Sequence, residues 1–83
     1  MKDLHRAIEA SSQAVESTPV DHPQRAMYLN NLGNALRSRF ERTGSMEDLA
    51  RAIETVEQAV ESTPVDHPER AMYLNNLGIA LWS

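Results

Sequence analysis

Shifting the chain by 45 residues against itself aligns Met1 with Met46 and Ser38 with Ser83, and 30 of the 38 aligned pairs are identical. A period of this size marks a stack of like units, because one such unit cannot bury its own apolar face. The eight differences are Lys2/Glu47, His5/Ala50, Ala10/Thr55, Ser11/Val56, Ser12/Glu57, Gln24/Glu69, Asn34/Ile79 and Arg37/Trp82. Even the loop string QAVESTPVDHP is unchanged, which points to recent duplication or to deliberate design. The copies are 1–45 and 46–83, the second truncated, and together they make one small domain of 83 residues. A domain this small buries only about three-fifths of its unfolded surface, so its core is thin and easily completed by a partner.

Within each copy the apolar residues step by three and four, the helical period. Leu49, Ala52, Ile53, Val56, Ala59 and Val60 form one stripe over about 46–62, and Leu4, Ala7, Ile8, Ala14 and Val15 form its counterpart over about 3–17. Leu29, Leu32, Gly33, Leu36 and Phe40 define a longer helix over about 22–42, repeated as Leu74, Leu77, Gly78 and Leu81 over about 67–82. No segment alternates with period two. The expected fold is all-α, with four helices in antiparallel hairpins stacked as an α-solenoid.

The boundaries carry their own chemistry. Asp21-His22-Pro23-Gln24 and Asp66-His67-Pro68-Glu69 read as capping boxes, with proline tolerated in the first turn. Ser45 is placed to cap the third helix, and Glu47 and Asp48 suit its positive end. Gly44 supplies a left-handed stop for the helix before it. Pro19 and Pro64 bring the shorter helices to an end.

The spacing Leu29-x2-Leu32-Gly33-x2-Leu36, followed by Ala52-x3-Val56 and Pro64, resembles the tetratricopeptide repeat signature. The string HPERAMYLNNLG is similar to the longer repeats of the kinesin-light-chain type and to arrays in large fungal signalling proteins. The resemblance implies a solenoid whose glycine permits close helix approach, whose alanines sit at helix crossings, and whose proline ends the second helix. Aliphatic Leu29, Leu36 and Val56 stand where larger aromatics are common in that family. The period is 45 residues rather than about 34, and most of the surplus lengthens the first helix of each hairpin by roughly two turns. In family terms the chain opens on a second helix, continues with a complete pair and closes on a first helix. It therefore reads as a fragment of a longer array.

Charge and composition narrow the partners. Eight basic against twelve acidic side chains give a net charge of −4, a poor footprint for nucleic acid. No apolar run approaches the roughly 18 residues that span a bilayer, and the start MKDLHRAIEA is not a signal peptide, so no membrane association and a cytoplasmic location are expected. Without cysteine there is no disulfide, thiolate ligand or cysteine nucleophile.

Chemistry is equally constrained. A His–Asp pair can act as a base or hold a metal, but His22 with Asp21 and His67 with Asp66 lie in the helix-start motif with no nucleophile or third ligand near. His5 has Ala50 as its counterpart and reads as solvated. Catalytic residues, metal ligands and cofactors are therefore expected to be absent. Asn30, Asn34, Arg37 and Glu41 share a polar stripe of the long helix, and Asn75 repeats Asn30. The resemblance implies that first helices line a concave groove, where asparagine can pair with the backbone of an extended peptide. Asn30, Asn34, Arg37 and Asn75 are thus the candidate peptide-binding residues, against the plain alternatives of a solvated face or of asparagines bonded to a neighbouring helix. Arg37, Arg39 and Arg42 could recognise acidic peptides, although cations near a helix C-terminus are favoured there without any ligand. Tyr28, Tyr73 and the methionines read as packing residues.

The function this supports is a non-enzymatic protein–protein interaction scaffold with a peptide or protein partner. The competing class is a structural or self-assembling spacer that binds no ligand. A binding module should keep its asparagines and arginines exposed on one face, whereas a spacer would bond them internally or to the next repeat. Unpaired helices at both ends predict a homo-oligomer built through Leu4, Ile8, Leu77, Ile79, Leu81 and Trp82. Residues 1–45 carry net charge +1 and residues 46–83 carry −5, which favours head-to-tail approach.

Overall fold

The computed structural model describes residues 3–83, which form four helices: α1 (Leu4–Glu16), α2 (Arg25–Thr43), α3 (Met46–Glu61) and α4 (Arg70–Trp82). Among the described residues there is no strand. Each helix packs on the next in the chain, and α2 also meets α4. That neighbour order is the stack that the 45-residue period demands.

The link between α2 and α3 forms as expected. Gly44 takes φ 73°, and its N–H donates to the carbonyl of Phe40 at 2.7 Å, the left-handed stop that only glycine makes without strain. Ser45 Oγ then accepts the N–H of Asp48 at 3.4 Å. At the start of α1, Asp3 does the same work, its carboxylate accepting from the N–H groups of His5 and Arg6 at 3.0 and 3.3 Å. After α1 and α3, Thr18 and Thr63 each donate a hydroxyl to the carbonyl four residues back, Ala14 and Ala59, at 2.6 Å.

The starts of α2 and α4 differ from the capping-box expectation by three residues. Their N-cap positions are Gln24 and Glu69, both with helical backbone angles and without a side-chain cap. Local acceptors divert both halves of the box. The N–H of Gln24 goes to Nδ1 of His22, and that of Glu69 to Nδ1 of His67, each at 3.1 Å, so neither aspartate receives it. The side-chain oxygens of Gln24 and Glu69 instead accept the hydroxyls of Tyr28 and Tyr73, one turn on, at 3.0 and 2.9 Å. Residues 19–22 and 22–25 close as successive turns, and the sequence repeats this at 64–67 and 67–70.

Ile8, Val15, Ala26, Leu29, Leu32, Leu36, Ala52, Ala59, Val60 and Tyr73 make up the core, with Tyr28, Ala35 and Leu77 packed at its margin. Leu36 and Val56 are effectively sealed, each worth about 1.5–3 kcal/mol relative to exposure. Tyr73 is buried as expected, but Met27, Met46 and Met72 lie exposed and are not packing residues.

Candidate interaction surface

Helices α2 and α3 approach closely at Gly33. Leu29, Gly33 and Leu36 recur at steps of four and three along one face of α2, and all three are buried. A Cβ added to Gly33 would collide with Cγ2 of Val56 and would sit 3.4 Å from the carbonyl oxygen of Ala52. Glycine is what lets α2 settle onto the Ala52, Val56 and Ala59 row of α3, which is itself buried.

The same face recurs on α4 without a cover. Leu74, Gly78 and Leu81 are the 45-residue counterparts of Leu29, Gly33 and Leu36. Leu29 is 2% exposed and Leu74 44%; Leu36 is 0% exposed and Leu81 60%. A Cβ on Gly78 meets nothing within 4 Å, so the close packing expected at both glycines exists only at Gly33. Ile79 and Trp82, which replace Asn34 and Arg37, are also exposed. On α1 the counterpart row is Leu4, Ala7, Ser11 and Ala14. Ala7 is exposed where Ala52 is buried, and Leu4, Ser11 and Ala14 are half-buried.

Two residues assigned to the end faces belong elsewhere. Ile8 is buried in the core with Val15, because α1 has two apolar sides: Ile8 and Val15 lie in the core, while the Leu4, Ala7, Ser11 and Ala14 row is only partly covered. Leu77 is half-buried against the same core. Leu4, Ile79, Leu81 and Trp82 retain surface.

The polar stripe is largely engaged. Asn30 is buried, and its Oδ1 accepts from Nδ2 of Asn76 at 2.9 Å, joining α2 to α4. Buried and bonded to α4, the Asn30 amide is not presented on the surface. Asn75 and Asn31 are exposed, and Asn34 and Arg37 are half-buried. Arg37 reaches Glu41 at 3.0 Å, an i,i+4 pair that adds only a few tenths of a kcal/mol.

Arg39 grips Asp48 by two hydrogen bonds, Nε to Oδ2 at 2.7 Å and Nη2 to Oδ1 at 2.8 Å. Its Nη1 also lies 2.9 Å from Nδ1 of His5 on α1, so one guanidinium ties α1, α2 and α3 together. The hydrogen bonds from Arg39 hold the buried Asp48 carboxyl below the usual carboxylate range, against the desolvation of its position. Burial pushes the Tyr73 phenol up to about 12, with the hydrogen bond to Glu69 adding to the shift. The Asn30–Asn76 contact is the alternative of an asparagine bonded to a neighbouring helix, its partner unnamed in the sequence, and the Arg39–Asp48 contact went unread. The Asn-Asn pair recurring at 45 residues was the available signal for the first.

A cavity of about 510 Å³ opens between the two loops, lined by Val20, His22, Met27, Thr63, His67 and Tyr73 among others. Both histidines there spend Nδ1 on a backbone N–H, and the Thr63 hydroxyl donates to Ala59. None of the candidate asparagines or arginines lines it. Among the described residues, no three or more His, Cys, Asp or Glu side chains gather as a metal site, and no helix is long and apolar enough to cross a membrane.

A family model for the tetratricopeptide repeat matches residues 25–69, one full period running from the first residue of α2 to the last before α4. No curated protein and no solved structure matches the chain.

Proposed function

The chain belongs to the tetratricopeptide repeat family, and from that premise we propose that it is a non-enzymatic protein–protein interaction scaffold whose partner packs on the apolar row of α4. The observation that carries this is the contrast between like residues: Leu29 and Leu36 are buried, while Leu74 and Leu81 are exposed. An exposed apolar row at Leu74 and Leu81, with exposed Ile79 and Trp82 on the neighbouring stripe of α4, is the kind of surface that marks a protein contact. The polar side chains point the same way, since Asn30, Arg37 and Arg39 are all engaged within the protein. We read the chain further as one of the long-period type, in the manner of kinesin-light-chain or fungal arrays, on the strength of its 45-residue repeat.

A second reading is an extended peptide laid along the first helices, α2 and α4. It is favoured by the exposed Asn75 and by the half-buried Asn34 and Arg37. Trp82, 91% exposed, reports on both. Helical hairpins of repeat sequence and a library of extended peptides are titrated against the chain while Trp82 emission is followed. The first reading predicts a blue shift with helical hairpins that Leu81→Arg abolishes and Asn75→Ala does not. A response to extended peptides alone, lost in Asn75→Ala, would overturn it in favour of the groove.

A further inference from the structure

Resting on that reading, we propose that the partner of the α4 row is the α1 face of a second copy of this chain, packed head to tail. The internal contact is the template. Where α2 lies on α3, Gly33 faces Val56 and Ala52, and the rows that hold them, Leu29 and Leu36 on α2 and Leu49 and Ala59 on α3, are buried. Of their counterparts, Leu74, Gly78 and Leu81 on α4 are exposed, and on α1 Ala7 is exposed while Leu4, Ser11 and Ala14 are half-buried. A second copy that sets its α4 on α1 repeats an interface the chain already makes.

Three further features fit the same register. Gly78 costs α4 up to about 1 kcal/mol of helix stability with nothing packed over it; in the repeated contact it receives Ser11, as Gly33 receives Val56. The asparagine bridge also continues. Asn76 donates to Asn30 inside the chain, and the same shift pairs Asn31 of one copy with Asn75 of the other, both exposed in the single chain. Within the two rows the copies differ at one position, Ser11 for Val56, while Ile79 and Trp82, the counterparts of Asn34 and Arg37, add apolar bulk on the neighbouring stripe of α4.

At the level of the helices concerned the polarity is the reverse of that of the two halves of the chain, with the positive charge on α4 and the negative on α1. The arginine-rich α2, where Arg25, Arg37, Arg39 and Arg42 outnumber Glu41, packs on α3, where Glu47, Asp48, Glu54, Glu57 and Glu61 outnumber Arg51. Between α4 and α1 the sense is kept more weakly: Arg70 is the one charged residue of α4, and Asp3, Glu9 and Glu16 outnumber Arg6 at α1. The contact uses a different patch on each copy, so it is heterologous and leads to a ring or an open superhelix.

The test uses the whole chain and two blocked forms. Light scattering should show the mass of the native chain rising with concentration above 9.3 kDa. Ala7→Arg blocks α1 and Leu81→Arg blocks α4, each at an exposed position, so circular dichroism should stay helical. Each variant alone should remain monomeric, and an equimolar mixture should give a dimer of twice the chain mass. Assembly of either variant alone would indicate a symmetric contact and overturn the proposal. A native mass fixed at 9.3 kDa with helices intact would also overturn it. If such a monomer still shifted its Trp82 emission with a helical hairpin, the second copy would fall while the α4 surface stood.

Discussion

Gly33 and Gly78 occupy equivalent positions, yet the same substitution should change stability in opposite directions. Alanine at either site removes the helix penalty of glycine, about 1 kcal/mol. At Gly78 the new methyl meets nothing within 4 Å, so Gly78→Ala should stabilise the monomer by about 0.5–1 kcal/mol. At Gly33 the methyl collides with Val56 Cγ2. Val56 is buried, and a β-branched side chain in a helix has essentially one rotamer, so it cannot swing aside. Overpacking of this kind costs about 1–3 kcal/mol, which outweighs the propensity gain and leaves Gly33→Ala about 1 kcal/mol less stable. At roughly 4–8 °C per kcal/mol for a domain of this size, the two variants should melt about 10 °C apart. Thermal unfolding followed by circular dichroism, at concentrations dilute enough to hold the monomer, reads this directly. Val56→Ala should relieve the collision, so a double-mutant cycle with Gly33→Ala should show a favourable coupling. Equal stabilisation at both glycines would refute the reasoning, because it would mean that α2 and α3 do not approach closely at Gly33.

Other predictions follow from the polar contacts. Asp48→Asn should cost about 1–3 kcal/mol at neutral pH, the range for a hydrogen bond to a charged group. Because the native Asp48 carboxyl is held low, its contribution is present above the unfolded value near ~3.9 and is lost as pH falls through the lower native value. The gap between wild type and Asp48→Asn in urea unfolding should therefore close in acid. Tyr73 has the opposite sign. Its raised value, about 12, makes its stabilisation complete below the unfolded value near ~10 and lost as pH rises toward 12, so Tyr73→Phe should flatten the alkaline limb of the stability profile. Asn76→Ala leaves the buried Asn30 without its donor and should cost about 1–2 kcal/mol, whereas Asn75→Ala, at an exposed site, should stay within about 0.5 kcal/mol of wild type.

What the sequence made legible was whatever depends on period. Four helices, their stacking order and the Gly44–Ser45 link follow from apolar spacing and from residues with one dominant conformational role. The starts of α2 and α4 were less legible because local partners compete for both halves of the expected box: the His22 ring rather than Asp21 accepts the N–H of Gln24, and the Tyr28 hydroxyl donates to the side-chain oxygen of Gln24. Ile8 was misplaced for a different reason. An apolar stripe shows that a helix is covered without showing from which side, and α1 divides its apolar residues between a buried face and a partly covered one. Asn30 illustrates the limit on function. Its position along α2 was plain, but whether its amide faced a ligand or Asn76 depended on how far α4 lies from α2, which no local pattern encodes.

The central claim is that identical leucines are sealed in one copy and left open for a partner in the other. Leucine methyl NMR with a soluble paramagnetic agent tests it at single-residue level. At high dilution the account predicts slow paramagnetic relaxation for Leu29 and Leu36 and fast relaxation for Leu74 and Leu81, with the latter pair becoming protected as concentration rises. Equal relaxation of all four leucines at every concentration would contradict it.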